Sequence, residues 1–277
     1  MYRFKKIFFN CCIHALLISV GLTCIFPLLW MLSSALKTQQ TVFRDMRLIV
    51  DNPAWQNFSL AWTKGDFSVY FFNSLFYTFA VVGAIVLIAS LAAYAFSRLE
   101  FKGKNFLFYL FLGAMMIPLP GGFVPLYVLL VKLGLANTRS GYIFSMINVG
   151  LPVSIYLLKT FFDKLPRDLE DSARIDGCGR LRIWWNIAFP LARPAIGVVV
   201  IFNTLMVWNE YILALIILQS KSIMPLQKGL MVFQGAHLTE YPVLMAGITI
   251  SIIPIILIYL FMQRFIIKGL ASEILLG

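Results

Sequence analysis

The chain has 277 residues, of which 60% are hydrophobic, 15% aromatic and only 13% charged, with a formal net charge of +11. Soluble domains carry roughly 25% charged residues, and one of this size has too little interior to hide so much apolar surface. A typical soluble enzyme or binding domain is thereby excluded, and in a lipid-embedded chain the basic balance reads as loop bias rather than nucleic-acid binding.

A membrane-crossing helix needs about 20 mainly apolar, uncharged residues. The first such stretch, 13–35, follows a basic lead of Arg3, Lys5 and Lys6. It is too long for the apolar part of a secretory signal and shows no small-x-small cleavage site. It runs instead through Pro27-Leu28-Leu29-Trp30 into Ser33-Ser34, so it is expected to remain as an anchor. Loop 37–68 follows, with a turn signal at Asp51-Asn52-Pro53. Spans 69–96, 105–131 and 140–160 come next. The second of these packs Pro118, Pro120, Gly121, Gly122 and Pro125 into eight residues, which removes backbone donors and must break or kink the helix. Two readings of Pro118, Gly121 and Gly122 stand: a gating segment beside a water-filled passage, where non-helical backbone survives at depth, or a purely structural kink.

The cytoplasmic-type loop 161–194 carries the densest charge. Asp163 reads as an N-cap and Pro166 as part of a first helical turn. Asp168, Glu170 and Asp171 then sit where the helix dipole favours acids. Gly177-Cys178-Gly179 breaks the helix, because glycine supplies the left-handed conformation of a tight turn. A second short helix carries Leu181, Trp184, Trp185 and Ala188 on one side, before Pro190 and Pro194. Both tryptophans are expected to be exposed. The product is a helical hairpin: either a docking surface or an amphipathic element lying under the bilayer. A DNA-reading motif is disfavoured, since six basic residues face five acidic ones between 163 and 193 and both ends are tied to membrane spans.

Spans 194–219 and 241–263 complete a set of six, helical because each is too long for a tilted barrel strand. The fifth holds Asn209 and Glu210, and a charge in hydrocarbon costs a few kcal/mol even on lenient scales. Counting from Pro194 at about 1.5 Å per residue puts Glu210 about 24 Å up, in the outer third of the core. It reads either as an interfacial acid pairing with headgroups or a partner, or as the external end of a passage or gate. On the second reading Asn203 and Thr204 extend a polar stripe inward. Fifteen of the 23 Lys and Arg flank one side of the six spans and eight the other, which places both termini in the cytoplasm. The expectation is an all-α integral membrane protein, one domain over residues 1–277.

No G-x-x-x-x-G-K-[ST] phosphate loop occurs. His14 and His237 lie near no carboxylate or cysteine cluster, and Cys11, Cys12, Cys24 and Cys178 have neither disulfide nor zinc spacing. No catalytic residue, metal ligand or bound cofactor is therefore expected in this chain.

The run Asp171-Ser172-Ala173-Arg174-Ile175-Asp176-Gly177, then nine residues, then Ile187-Ala188-Phe189-Pro190, resembles the EAA loop of ABC importer permeases, E-A-A-x3-G-x9-I-x-L-P. Spacing fits at every step; Asp171, Ser172 and Phe189 depart in type. Arg98 with Leu99-Glu100-Phe101-Lys102-Gly103-Lys104 is similar to the family's R-x-x-F-x-G-K turn. Met116-Ile117-Pro118, Val124-Pro125-Leu126-Tyr127, Leu133-Gly134-Leu135-Ala136-Asn137-Thr138 and Trp208-Asn209-Glu210-Tyr211 also match, in order. The pattern resembles the carbohydrate-uptake group of the maltose-permease, six-span type.

That resemblance implies the type I ABC importer permease (MetI-like) fold in the cytoplasmic membrane of a bacterium or archaeon. It implies four kinds of partner: a second permease completing a heterodimer, two ATPase subunits holding ATP and Mg, an extracytoplasmic solute-binding protein, and a sugar or oligosaccharide. Lipid surrounds the chain. The resemblance gives Glu170, Asp171, Ser172, Ala173, Asp176 and Gly177 the docking geometry toward the ATPase, with Ile187 and Pro190 bracing the loop against span 5. The tail Phe265–Ala271 is similar to the family's ATPase-approaching tail, whereas Ser272–Gly277 departs from it. The alternatives are a self-sufficient secondary transporter of a small polar solute, against which no internal repeat is visible, and an assembly subunit without a pore role.

Overall fold

The computed structural model describes residues 2–116, 119–233 and 239–276. In chain order the helices are α1 (Tyr2–Ala35), α2 (Gln56–Thr63), α3 (Phe67–Arg98), α4 (Lys104–Ala114), α5 (Leu119–Lys132), α6 (Arg139–Lys164) and α7 (Asp168–Ile175). There follow α8 (Arg180–Ile183), a π-turn over Trp184–Ala188, α9 (Phe189–Leu191), α10 (Arg193–Trp208), α11 (Ile212–Ile217), α12 (Leu226–Gly229) and α13 (Tyr241–Leu276). Among the described residues, Phe8–Ala35, Phe67–Arg98, Arg139–Lys164 and Tyr241–Gln263 are each long and apolar enough to cross a bilayer. Arg180–Leu191 and Arg193–Trp208, bent by 77° at Ala192, pass the same test as a pair.

Two of the expected spans are each two helices. The 105–131 run breaks after α4 and resumes as α5, whose Gly121, Gly122 and Pro125 lie inside the second helix rather than in the break. The 194–219 run stops at Trp208 and restarts at Ile212. At about 1.5 Å per residue the 16-residue α10 measures about 24 Å, short of a hydrocarbon core of about 30 Å. By contrast α1 and α13 run longer than the apolar stretches that mark them.

The chain divides into two compact units, Met1–Ser68 with Leu230–Ile253, and Val69–Gly229 with Pro254–Gly277. In the first, the segment after α1 folds back beneath its C-terminal end. Lys37 is 2% exposed, and its Nζ donates to the carbonyls of Asp45 (2.6 Å) and Arg47 (2.9 Å). Asn57 Nδ2 donates to Ala35 O and Lys37 O at 2.8 and 2.9 Å, which fastens α2 to the same turn. Lys64 pairs with Glu240 at 2.6 Å. Arg47 donates to Asp45 from side chain and backbone, which holds that carboxyl below its usual range.

The second unit is built on α3, α6 and α10. Tyr77 meets Tyr142, and Tyr94 meets Phe162, edge to face along α3 and α6. The α6–α10 crossing is close because Gly150 has no side chain: a Cβ there would run into Asn203 and Ile85. Asn203 Nδ2 donates to Ser154 Oγ (2.9 Å) and Val199 O (2.8 Å), so a polar pair is fully enclosed at that crossing. Of the four long helices, α1, α6 and α13 each contain a proline, whereas α3 has none.

Candidate functional site: the coupling hairpin and its braces

The hairpin begins after α6. Leu165 leaves helical geometry ahead of Pro166, whose ring disfavours helix in the preceding residue. The N-cap of α7 is Arg167, without a side-chain cap, and not Asp163. Asp163 instead lies in the last turn of α6, where it accepts from Ser97 Oγ and Lys159 Nζ, both at 2.7 Å. The three acids of the first α7 turn stand as the sequence places them.

Gly177 ends the helix in the left-handed region at φ +79°. Cys178 N donates to Ala173 O (2.9 Å) and Gly177 N to Arg174 O (3.0 Å), the paired bonds of a Schellman cap. The second arm then runs through α8 and the π-turn to α9. Its tryptophans part company: Trp185 is 56% exposed, but Trp184 is buried at 6% and meets Trp185 at a tilt and Phe189 edge to face. Consecutive helical residues point about 100° apart, so one ring turns into the packing and the other out of it. The expectation of two exposed tryptophans therefore holds for Trp185 alone.

What fixes the hairpin is charge buried beneath it. Glu170 is 5% exposed, its Oε1 2.7 Å from Arg98 Nε and its Oε2 accepting from Tyr94 OH at 3.0 Å. The Nε contact is an ion pair rather than an aligned hydrogen bond; the aligned donor of Arg98 is Nη2, which reaches Leu165 O at 2.7 Å. Glu170 thus faces inward. Asp171 faces out and pairs with Arg174 at 3.2 Å, Ser172 Oγ donates to Asp168 O, and Asp176 and Gly177 are exposed. Ala173 is buried, while Ile187 and Pro190 are half-buried. Along the hairpin Ile175 is 89%, Leu181 73% and Trp185 56% exposed. These exposed apolar side chains belong to a hairpin whose base is clamped by Arg98, Tyr94 and Glu170.

The intramembrane candidates do not assemble into one site. Glu210 fills the break between α10 and α11: Oε1 accepts from Leu213 N (2.6 Å), and Oε2 from Ala214 N (3.0 Å) and Tyr142 OH (3.2 Å). Its charge satisfies backbone donors that the break leaves open. Asn209 is exposed and donates to Leu205 O at 2.9 Å. Asn203 and Thr204 are 2% and 3% exposed, inside the chain's own packing rather than on a surface open to a passage. Thr204 borders a small apolar cavity of about 190 Å³ with Ile201, Ile255 and Tyr259. Gly121 and Gly122 have nothing within 4 Å of a would-be Cβ, and Pro118 and His237 lie outside the described residues. The tail beyond Gln263 continues as helix to Leu276, and the side chains of its expected ATPase-facing stretch lie outside the description.

Sequence reasoning picked out Arg98 as part of a turn signature and Glu170 as one of the loop's acids. It did not join them, because 72 positions separate the two and no local pattern encodes their contact. A second set of braces was missed altogether. The segment 219–226 is held to α3 by Asn73 Nδ2, donating to Ser222 O (2.9 Å) and Met224 O (3.0 Å), by Tyr77 OH to Ile223 O (2.6 Å), and by Ser74 Oγ accepting from Leu226 N (2.8 Å). Asn137, left-handed at φ 55°, accepts from Gln219 N and Ser220 N. Nearby, burial pushes the Lys228 ammonium below its ordinary range while it donates to Leu218 O at 2.8 Å.

Residues 85–272 match the family model described as the binding-protein-dependent transport system inner membrane component. A probable ABC transporter permease protein, YurM, of Bacillus subtilis is 36% identical over 89% of this chain and 82% of its own. The diacetylchitobiose uptake system permease protein NgcG of Streptomyces coelicolor is 31% identical, over 91% and 84%. In fold, the chain superposes with a TM-score of 0.81 on a chain of a bacterial ABC transporter involved in the import of the acidic polysaccharide alginate, at 24% identity, covering 95% and 98%. The chain belongs to the binding-protein-dependent transport system inner membrane component family, as a permease of the ABC transporter kind.

Proposed function

We propose that this chain forms half of the membrane passage of an ATP-driven importer for a sugar or oligosaccharide, and that the hairpin 161–194 docks on a separate ATPase subunit. One observation carries the reading: the large apolar side chains Ile175, Leu181 and Trp185 stand exposed on a hairpin clamped by the buried Arg98–Glu170 pair. Exposed apolar side chains on a rigid support suit a partner rather than water. The names of the relatives support the substrate class, since they include permeases for diacetylchitobiose, arabinooligosaccharides and trehalose/maltose.

On this reading the chain crosses the bilayer six times with both termini inside, the helix pairs α4–α5 and α10–α11 each serving as one broken crossing. A second permease, two ATPase subunits with ATP and Mg, and a solute-binding protein complete the assembly in a prokaryotic cytoplasmic membrane. Asp171, Asp176 and Gly177 belong to the docking face, Ile187 and Pro190 to its seat against α10, and Asn209 with the α4–α5 break to the passage.

The test is purification of the tagged chain from its native host. The expected result is co-purification with an ATPase and a second permease, and loss of transport-stimulated ATP hydrolysis in Gly177→Val with membrane insertion intact. A side chain at φ +79° is strained by roughly 1–2 kcal/mol, which is enough to shift the exposed side chains. Sugar flux by the chain alone in liposomes would instead establish the secondary-transporter alternative.

A further inference from the structure

We infer that α3 is a transmission rod, carrying movement of the coupling hairpin to the external segment 219–226, with Tyr94 and Arg98 as positioning residues at one end and Asn73 and Tyr77 at the other. The inference rests on the docking role proposed for the hairpin and extends it to the opposite side of the membrane.

Three observations carry it. First, α3 is stiff. Its 32 residues contain no proline, unlike the other long helices, whose prolines remove a backbone bond and mark bending points. Second, its C-terminal turns are pinned to the hairpin base by side chains removed from water: Tyr94 (5% exposed) and Arg98 both hold Glu170, and Arg98 also holds Leu165 O. Such bonds cannot be exchanged for bonds to solvent, so the hairpin base and the helix end move together. Third, the other end is pinned in the same way. Asn73 (5%), Ser74 (3%) and Tyr77 (1%) are buried and grip four backbone groups between Ser222 and Leu226.

The inner pins, Tyr77 and Tyr94, stand about 26 Å apart along the axis at about 1.5 Å per residue, most of the depth of a bilayer core. A shift of the hairpin by a partner must either drag α3 or break buried polar contacts. The first is cheaper, because packed elements move as rigid bodies between discrete arrangements. Coupling of this kind is reciprocal: an external ligand that moves 219–226 would bias the hairpin equally.

Hydrogen exchange on the intact complex, purified with its ATPase and second permease in lipid nanodiscs, tests this with ATP–Mg–vanadate as the probe. In the wild type both the hairpin 168–191 and the segment 219–226 should change exchange rate on trapping, by roughly tenfold. In Tyr94→Phe, which deletes one hydroxyl, and in Arg98→Lys, the hairpin response should persist while the response at 219–226 falls to less than a third. Tyr77→Phe should give the same pattern from the far end, with the subunits still co-purifying in wild-type ratio. Charge reversal, Arg98→Glu with Glu170→Arg, should recover part of the external response lost in either single change. A response at 219–226 that survives in Tyr94→Phe and Arg98→Lys, or is absent in a wild type whose hairpin responds, overturns the rod. A wild-type hairpin that does not respond at all overturns the docking proposal itself, and the rod with it.

Discussion

The carboxylate of Glu210 sits where α10 ends and α11 begins, and three hydrogen bonds converge on it from Leu213, Ala214 and Tyr142. A broken helix in lipid leaves amides with no water to turn to, and each unsatisfied group costs about 1–3 kcal/mol. An acid at this position therefore stabilises the break. Glu210→Ala should lower stability by about 2 kcal/mol, seen as a drop of several degrees in the unfolding midpoint in detergent. Glu210→Gln keeps one acceptor oxygen and should lose roughly half of that. Equal stability of Glu210→Ala and wild type would remove the capping role and return the residue to the passage.

Among the elements, the α6–α10 crossing depends on the absence of a side chain at Gly150, which lets Asn203 and Ile85 close over the helix backbone. Adding one methyl to a tight contact costs about 1–3 kcal/mol when neighbours cannot retreat. Gly150→Ala should be destabilising by that amount in thermal unfolding. Because the first atom met is the Asn203 amide, the Gly150→Ala/Asn203→Ala pair should be less destabilising than the two single changes added together. Strict additivity would mean that the helices separate rather than press on Asn203. The α7 cap has a different logic: nothing lies within 4 Å of a Cβ on Gly177, so its requirement for glycine comes from backbone conformation alone.

For the molecule as a whole, the fifteen-to-eight division of Lys and Arg gives a sidedness that can be checked directly. In a variant with all four cysteines changed to serine, Lys102→Cys should react with a membrane-impermeant maleimide only from the cytoplasmic face. Lys221→Cys should react only from outside; both positions are exposed. Labelling of Lys102→Cys in intact spheroplasts would invert the topology and move the hairpin 161–194 away from any ATPase.

The hydropathy pattern alone determined that the chain is helical and lives in lipid, since only intrachain backbone bonds are tolerated there. The glycine and acid spacing of 168–177 determined the hairpin, because a left-handed cap and a dipole-matched first turn are local properties. Tertiary structure decided which acid does what. Glu170 and Asp171 are neighbours in sequence, yet a rotation of about 100° per helical residue puts one on Arg98 and the other in solvent. It also enclosed Asn203 and Thr204, interrupted the 194–219 run that reads as continuous, and fixed both ends of α3. Those outcomes follow from contacts between residues up to 152 positions apart. Composition and periodicity record which surface a residue prefers, and say nothing of which distant partner will supply it.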